Sequence, residues 1–168
     1  MKNAFTKIGI VALACFSLVA FAADALPSLL KPTAQIENWE LEQHDGAKAT
    51  ARIDGDAIAV TVEAITATDW NVQLVQAGLE LKEGKTYEVR FKAKASLFRP
   101  IQVYAGVTED DFHAVGLDEL LTLTKEWAEH KITFKAENVA PKNNNRLGFL
   151  LGQEKGTVWL RDVTLIAK

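Results

Sequence analysis

Asn71, Gln73, Gln102 and Tyr104 lie on the polar side of segments that alternate apolar and polar residues at every second position. A side-chain amide offers a donor and an acceptor together. A phenol adds a hydroxyl and a flat ring. Such groups hold a polar ligand without reacting with it. Arg99 adds a guanidinium at the start of a segment, and Trp159 points outward if Val158, Leu160, Val163 and Leu165 form a core side. A plain polar sheet surface, with aromatics helping cross-strand packing, accounts for the same residues. Alternation alone does not choose between the two.

The elements that must position these groups are strands. Successive strand side chains point to opposite faces. One side reads Trp70/Val72/Leu74, Tyr87/Val89/Phe91/Ala93/Ala95 and Ile101/Val103/Ala105. The other reads Asn71/Gln73, Arg90/Lys92/Lys94 and Gln102/Tyr104. These polar sides are expected to form one open face of amides, cations and an aromatic ring. Further strands are expected at 35–41, 47–53, 57–65, 129–134, 146–151, 158–160 and 163–166. His44-Asp45-Gly46, Asp54-Gly55-Asp56, Glu83-Gly84-Lys85, Asn143-Asn144-Asn145 and Lys155-Gly156 supply the turns. Many short strands with regular turns predict an all-β fold, a two-sheet antiparallel β-sandwich or jelly roll. The segment from Leu117 to Trp127 fits a helical stripe or a strand, and loop plus strand agrees better with its β surroundings.

Lys2 and Lys7 precede an apolar run from Ile8 to Phe21, and Ala20-Phe21-Ala22 and Ala23-Asp24-Ala25 fit a small-x-small cleavage pattern. Residues 1–25 read as a secretory signal peptide, since the apolar run within them is too short to span a membrane comfortably. Ala12-Leu13-Ala14-Cys15 is a poor lipoprotein box, so a lipid anchor at Cys15 is not expected. Residues 26–33, with Pro27 and Pro32, read as an extended linker, and 34–168 as one domain. The expected location is periplasmic or extracellular. The formal net charge of −3 becomes −4 once Lys2, Lys7 and Asp24 leave with the leader. That excess argues against nucleic acid as a partner.

No catalytic constellation is assembled. His44, His113 and His130 lack metal-ligand spacing. His130 is in phase with Ile132 and Phe134, as a hydrogen-bonded structural histidine would be. The acidic clusters Glu109-Asp110-Asp111 and Asp118-Glu119 read as solvated loops. Trp39 is in phase with Leu41 and is expected in the core. Trp127 is expected to cover one end of that core. Trp70 fits either a core position or a cleft mouth.

The ordered phrases Trp70-Asn-Val-Gln-Leu, Leu81-Lys-Glu-Gly-Lys-Thr-Tyr-Glu-Val-Arg-Phe-Lys-Ala-Lys-Ala-Ser, Arg99-Pro-Ile-Gln-Val, Leu123-Thr-Lys-Glu-Trp, Arg146-Leu-Gly-Phe-Leu-Leu-Gly and Gly156-Thr-Val-Trp-Leu-Arg-Asp-Val-Thr-Leu carry a resemblance. Together they resemble carbohydrate-binding modules of the cellulose-, xylan- and laminarin-binding jelly-roll type, often appended to bacterial glycoside hydrolases. The resemblance implies a non-catalytic cleft along one sheet that holds a β-glucan- or xylan-like polysaccharide. Asn71, Gln73, Gln102 and Tyr104 would line it, with Arg99, Trp70, Gln76 and Trp159 at its rim. It also implies association with a glycoside hydrolase, although none is fused in this sequence. Family members commonly place an acidic pair before the last valine, its first member helping to hold a structural calcium. Here the pair reads Arg161-Asp162, and a cation cannot ligate calcium. No cofactor is therefore expected. Glu37 and Asp162 remain as candidate ligands, and Arg161 is expected to pair with an acid from the first strand. The alternative function is a structural or partner-binding jelly roll of the cell envelope.

Overall fold

The computed structural model describes residues 27–109 and 111–168. The expected leader, its cleavage sites and Cys15 lie outside the described residues, as does Asp110. Ten strands run in chain order: β1 (Glu40–Gln43), β2 (Lys48–Asp54), β3 (Ala57–Ala64), β4 (Val72–Leu79), β5 (Thr86–Ala95), β6 (Arg99–Val107), β7 (Ala114–Leu123), β8 (Ala128–Lys135), β9 (Asn145–Leu150) and β10 (Gly156–Ala167). They form two antiparallel five-stranded sheets, ordered β1-β4-β9-β6-β7 and β2-β3-β10-β5-β8. This is the β-sandwich that the alternation predicts.

The core lies between the sheets. Phe91 on β5 meets the edge of Phe149 on β9 at 5.2 Å between ring centres, and Trp39 lies 6.2 Å from the same ring. Trp39 is buried, as its phase with Leu41 predicts. His130 stacks on Phe91 at 4.9 Å, and burial lowers its pKa. Its Nε2 has no hydrogen-bond partner among the described residues, so His130 packs there without bonding through that nitrogen.

Four local expectations are corrected. The segment 35–41 begins as a 3-10 turn at Ile36–Asn38 and becomes a strand only at Glu40. The segment from Leu117 is no loop, because Ala114–Leu123 is one strand along β6. Residues 27–33 are not a free linker. Leu30 is buried in the core, Leu29 N donates to Leu165 O (2.8 Å), and Lys31 N donates to the Gln76 side chain (2.6 Å). Finally, β5 belongs to the second sheet, so Arg90, Lys92 and Lys94 face away from Gln73 and Gln102. Alternation separates inside from outside, but it cannot say which of two sheets a strand joins.

Glu88 on β5 anchors the second sheet's outer face. Its carboxylate is almost shut from solvent and bonds Arg90 (2.5 Å), Lys131 (3.0 Å) and the C-terminal Lys168 (3.1 Å). Burial opposes its charge, but the three cations outweigh it and bring the pKa from 4.5 to about 2. A carboxyl depressed on folding stabilises the fold fully above its unfolded pKa, and that contribution disappears as pH falls through the folded value. The expected result is a melting temperature that drops between about pH 4.5 and 2. Glu88→Gln should melt lower than the parent at pH 6 and should show a shallower drop in that window. Parallel curves for the two proteins would contradict this.

Candidate functional site

Antiparallel register sets the outer face of the first sheet in rows. Glu42 pairs with Gln73, Gln73 with Leu150, Leu150 with Gln102, and Gln102 with Leu120. The next row is Val75, Gly148, Tyr104 and Asp118, and beyond it Ala77, Arg146 and Gly106 lie side by side. A cleft of about 650 Å³ lies over these rows, within the range of small-ligand sites. Its wall includes Trp70 from the 3-10 turn before β4 (Asp69–Asn71), Phe112 from the β6–β7 loop, and His44 after β1.

Gln73, Gln102, Tyr104 and Trp70 therefore meet in one cleft, from two separate stretches of the chain. Gln73 and Tyr104 form its floor, each under a tenth exposed. The Tyr104 hydroxyl donates to Gln73 Oε1 (2.7 Å), which leaves the Gln73 NH2 as a donor. Burial pushes the Tyr104 pKa far up, so the phenol stays protonated and keeps donating. The Tyr104 ring lies across Gly148 on the neighbouring strand; a Cβ there would come within 2.3 Å of the ring. Gln102 donates to Asp118, leaving its carbonyl oxygen for the cleft. Trp70, 46 % exposed, is the open aromatic at one end, with the His44 ring at 5.8 Å.

The other four expected site residues are placed elsewhere, each for a physical reason. Asn71 is buried, its amide donating to Thr66 Oγ1 (2.7 Å) and Asp45 Oδ2 (3.3 Å); it holds the turn that presents Trp70. Gln76 follows Val72 and Leu74 in phase, so it points inward, and its amide clamps the Lys31 backbone. Arg99 is in phase with Ile101 and is fully buried. It donates to Leu151 O (2.6 Å) and Gly156 O (3.4 Å), and burial lowers its pKa. Trp159 does point outward, but from β10 on the second sheet, opposite the cleft. Trp127 lies on that second outer face too, under the Arg161 guanidinium at 4.3 Å, and does not cap the core.

Several cleft residues escaped the sequence reading. Arg146, nearly buried, sits between the rings of Tyr104 (5.4 Å) and Phe112 (5.2 Å) and pairs with Glu42 at 2.8 Å. Its signal was present, since Leu147 and Phe149 point inward and Arg146 and Gly148 must point out. Phe112 had no such pattern. It stands in a loop with a left-handed backbone (φ 53°), which few bulky residues adopt. Asp118 and Asp111 read as loop acids in the sequence, yet Asp118 faces the cleft from within β7 and Asp111 bonds the His113 ring (2.6 Å). That bond lowers the Asp111 pKa, while the Asn138 carbonyl and Asp111 raise that of His113.

Arg161 pairs with Asp56 in the β2–β3 turn (2.9 Å), not with an acid of the first strand. Asp162 bonds Lys92 (3.1 Å), Glu37 is exposed, and no cluster of three His, Cys, Asp or Glu side chains suited to a metal occurs among the described residues. Nor, among those residues, is any helix long and apolar enough to cross a membrane.

A sandwich with an aromatic- and amide-lined cleft across one sheet defines a ligand-holding module. The family model described as Carbohydrate binding domain (CBM_4_9) matches residues 33–154, and the chain belongs to that family. A solved CBM4 structure superposes with a TM-score of 0.72 at 24% identity, covering 84% of this chain and 97% of that one. The N-terminal cellulose-binding domain of Cellulomonas fimi β-1,4-glucanase C gives 0.64 at 26% identity over 81% and 92% of the two chains. The family 11 carbohydrate-binding module from Clostridium thermocellum, solved with a β-1,3-1,4-mixed-linked tetrasaccharide, gives 0.58 at 17% identity over 82% and 93%. No curated protein matches the chain.

Proposed function

We propose that this carbohydrate-binding domain holds an uncharged β-glucan- or xylan-like polysaccharide in the cleft of the first sheet, without cleaving it. The supporting observation is the convergence of Gln73, Gln102, Tyr104 and Trp70 there. Trp70 and the half-exposed Phe112 stack on the C–H faces of sugar rings. The Gln73 NH2, the Gln102 carbonyl and the outer carboxylate oxygens of the cleft lining bond the hydroxyl rims. Tyr104 acts beneath the ligand, as a floor that fixes Gln73.

A glycosidase needs a carboxylic acid with a raised pKa opposite a second free carboxylate. In this cleft Glu42 is engaged by Arg146, Asp111 by His113 and Asp118 by Gln102, and the Asp111 pKa is lowered. That supports a binding role. Glu42 pairs with Arg146, so among the described residues the cleft offers no unpaired Lys or Arg to an acidic polymer. The leader-like pattern of residues 1–25 supports secretion to the periplasm or beyond, where a separately encoded glycoside hydrolase is a fitting partner.

Affinity electrophoresis in gels containing soluble mixed-linkage β-glucan, xylan or mannan tests the reading. The parent should be retarded by at least one of them, and Trp70→Ala should lose about tenfold in affinity, the equivalent of roughly 1.4 kcal/mol. Its melting temperature should change little, because Trp70 is half-exposed. No retardation by any glycan, with a protein partner recovered instead, would favour an envelope scaffold.

A further inference from the structure

The outer face of the second sheet carries groups that the cleft does not use. Trp159 lies between Ala59 on β3 and Lys94 on β5 in the sheet register. Its Nε1 donates to Asp54 on β2 (2.8 Å), so the indole reaches across β3. Ala57 and Ala59 point outward from β3, outside the core cluster, yet both are 1 % exposed. These small residues are thus covered on the side where the Trp159 indole reaches over β3, and the indole itself stays partly exposed. Trp127 stands on the far side of Lys94, whose Nζ is 5.0 Å from the Trp159 ring and 5.1 Å from the Trp127 ring.

Lys94 differs from its neighbours on this face. Arg90 pairs with Glu88, Lys92 with Asp162, and Arg161 with Asp56. Lys94 has no carboxylate within 4 Å among the described residues. Asp54 feels its charge at longer range but is already occupied by Trp159 and Arg52. The result is an ammonium with no carboxylate partner among the described residues, set between two partly buried indoles, on a chain whose net charge is negative. Contact with ring faces satisfies an exposed cation only weakly. A carboxylate would satisfy it better, through a charge-assisted hydrogen bond.

We infer that Trp159, Lys94 and Trp127 form a second binding surface, for sugar polymers whose residues carry a carboxylate. The pyranose C–H face lies against the exposed part of the Trp159 indole, and the sugar carboxylate draws Lys94 to itself. The bonds from Trp159 to Asp54 and from Arg161 to Asp56 hold the platform in place beforehand, which lowers the ordering cost of binding. The two faces then divide the ligands: uncharged chains in the cleft, acidic chains on the opposite sheet.

Electrophoresis through gels containing polygalacturonate, with its methyl ester as the matched uncharged polymer, tests this in the cleft-disabled Trp70→Ala protein. That background separates the outcome from the fate of the cleft reading. Retardation by polygalacturonate and not by the ester is expected. Adding Lys94→Gln should weaken it at least fivefold, whereas Lys92→Gln should leave it within twofold. Trp159→Phe, which keeps a ring but loses the bond to Asp54, should weaken it to a lesser degree. The inference is overturned if polygalacturonate does not retard Trp70→Ala, if the ester retards it equally, or if Lys94→Gln lowers only the melting temperature. Equal losses from Lys92→Gln and Lys94→Gln would also overturn it, by showing diffuse attraction to a polyanion.

Discussion

Gly148→Ala is expected to cost the cleft at least tenfold in glycan affinity through a single added methyl group. The new Cβ would lie 2.3 Å from Tyr104 Cε1 and 2.8 Å from Cζ, closer than such atoms can pack. The ring is short and nearly buried, so it has to tilt upward into the cleft. Tilting breaks its hydroxyl bond to Gln73 Oε1 and its contact with Arg146. Overpacking of this kind costs about 1–3 kcal/mol of stability. A double-mutant cycle separates this steric cause from a general backbone effect. With Tyr104→Ala already present, Gly148→Ala should cost almost nothing further in stability. A full cost in that background would show that the glycine is needed for a reason other than the ring.

Arg146→Met should produce the largest stability loss of any cleft substitution, roughly 3 kcal/mol by urea denaturation, at the low end for breaking a buried pair because Glu42 keeps some contact with water. Methionine fills most of the space between Tyr104 and Phe112 but leaves Glu42 without its cation. Replacing both partners removes that penalty. The double variant Arg146→Met with Glu42→Leu should regain most of the lost stability. It should not regain binding, because the groups that set the cleft's polarity are gone. If binding returned together with stability, the pair would be scaffolding only.

The fold was legible because its signal is local. Period-two alternation marks the strands, and Gly, Asn and Asp mark the turns. The site was half legible for the same reason. Gln73, Gln102 and Tyr104 alternate with inward neighbours, and the face assignment follows directly. Asn71 and Arg99 were misplaced where alternation meets a strand end: Asn71 belongs to a 3-10 turn, and Arg99 keeps the inward phase of Ile101 despite its charge. Gln76 was misplaced because an amide reads as outward even where it clamps a backbone at the sandwich edge. Trp159 was correctly outward but on the wrong sheet, since sheet membership depends on pairing between distant strands. Phe112 depends on one loop's backbone angles and Arg146 on two rings, one brought from a neighbouring strand and one from that loop. Neither relation is written in nearby sequence.

The account depends on a ligand settling over Gln73, Gln102 and Trp70. An amide-proton NMR titration with a soluble β-glucan or xylan oligosaccharide reads those positions directly. The side-chain NH2 signals of Gln73 and Gln102 and the indole N–H of Trp70 should shift together, along one saturating curve, while the Trp159 indole stays still. Shifts confined to the second sheet, or a Trp70 signal that does not move while others saturate, would contradict it.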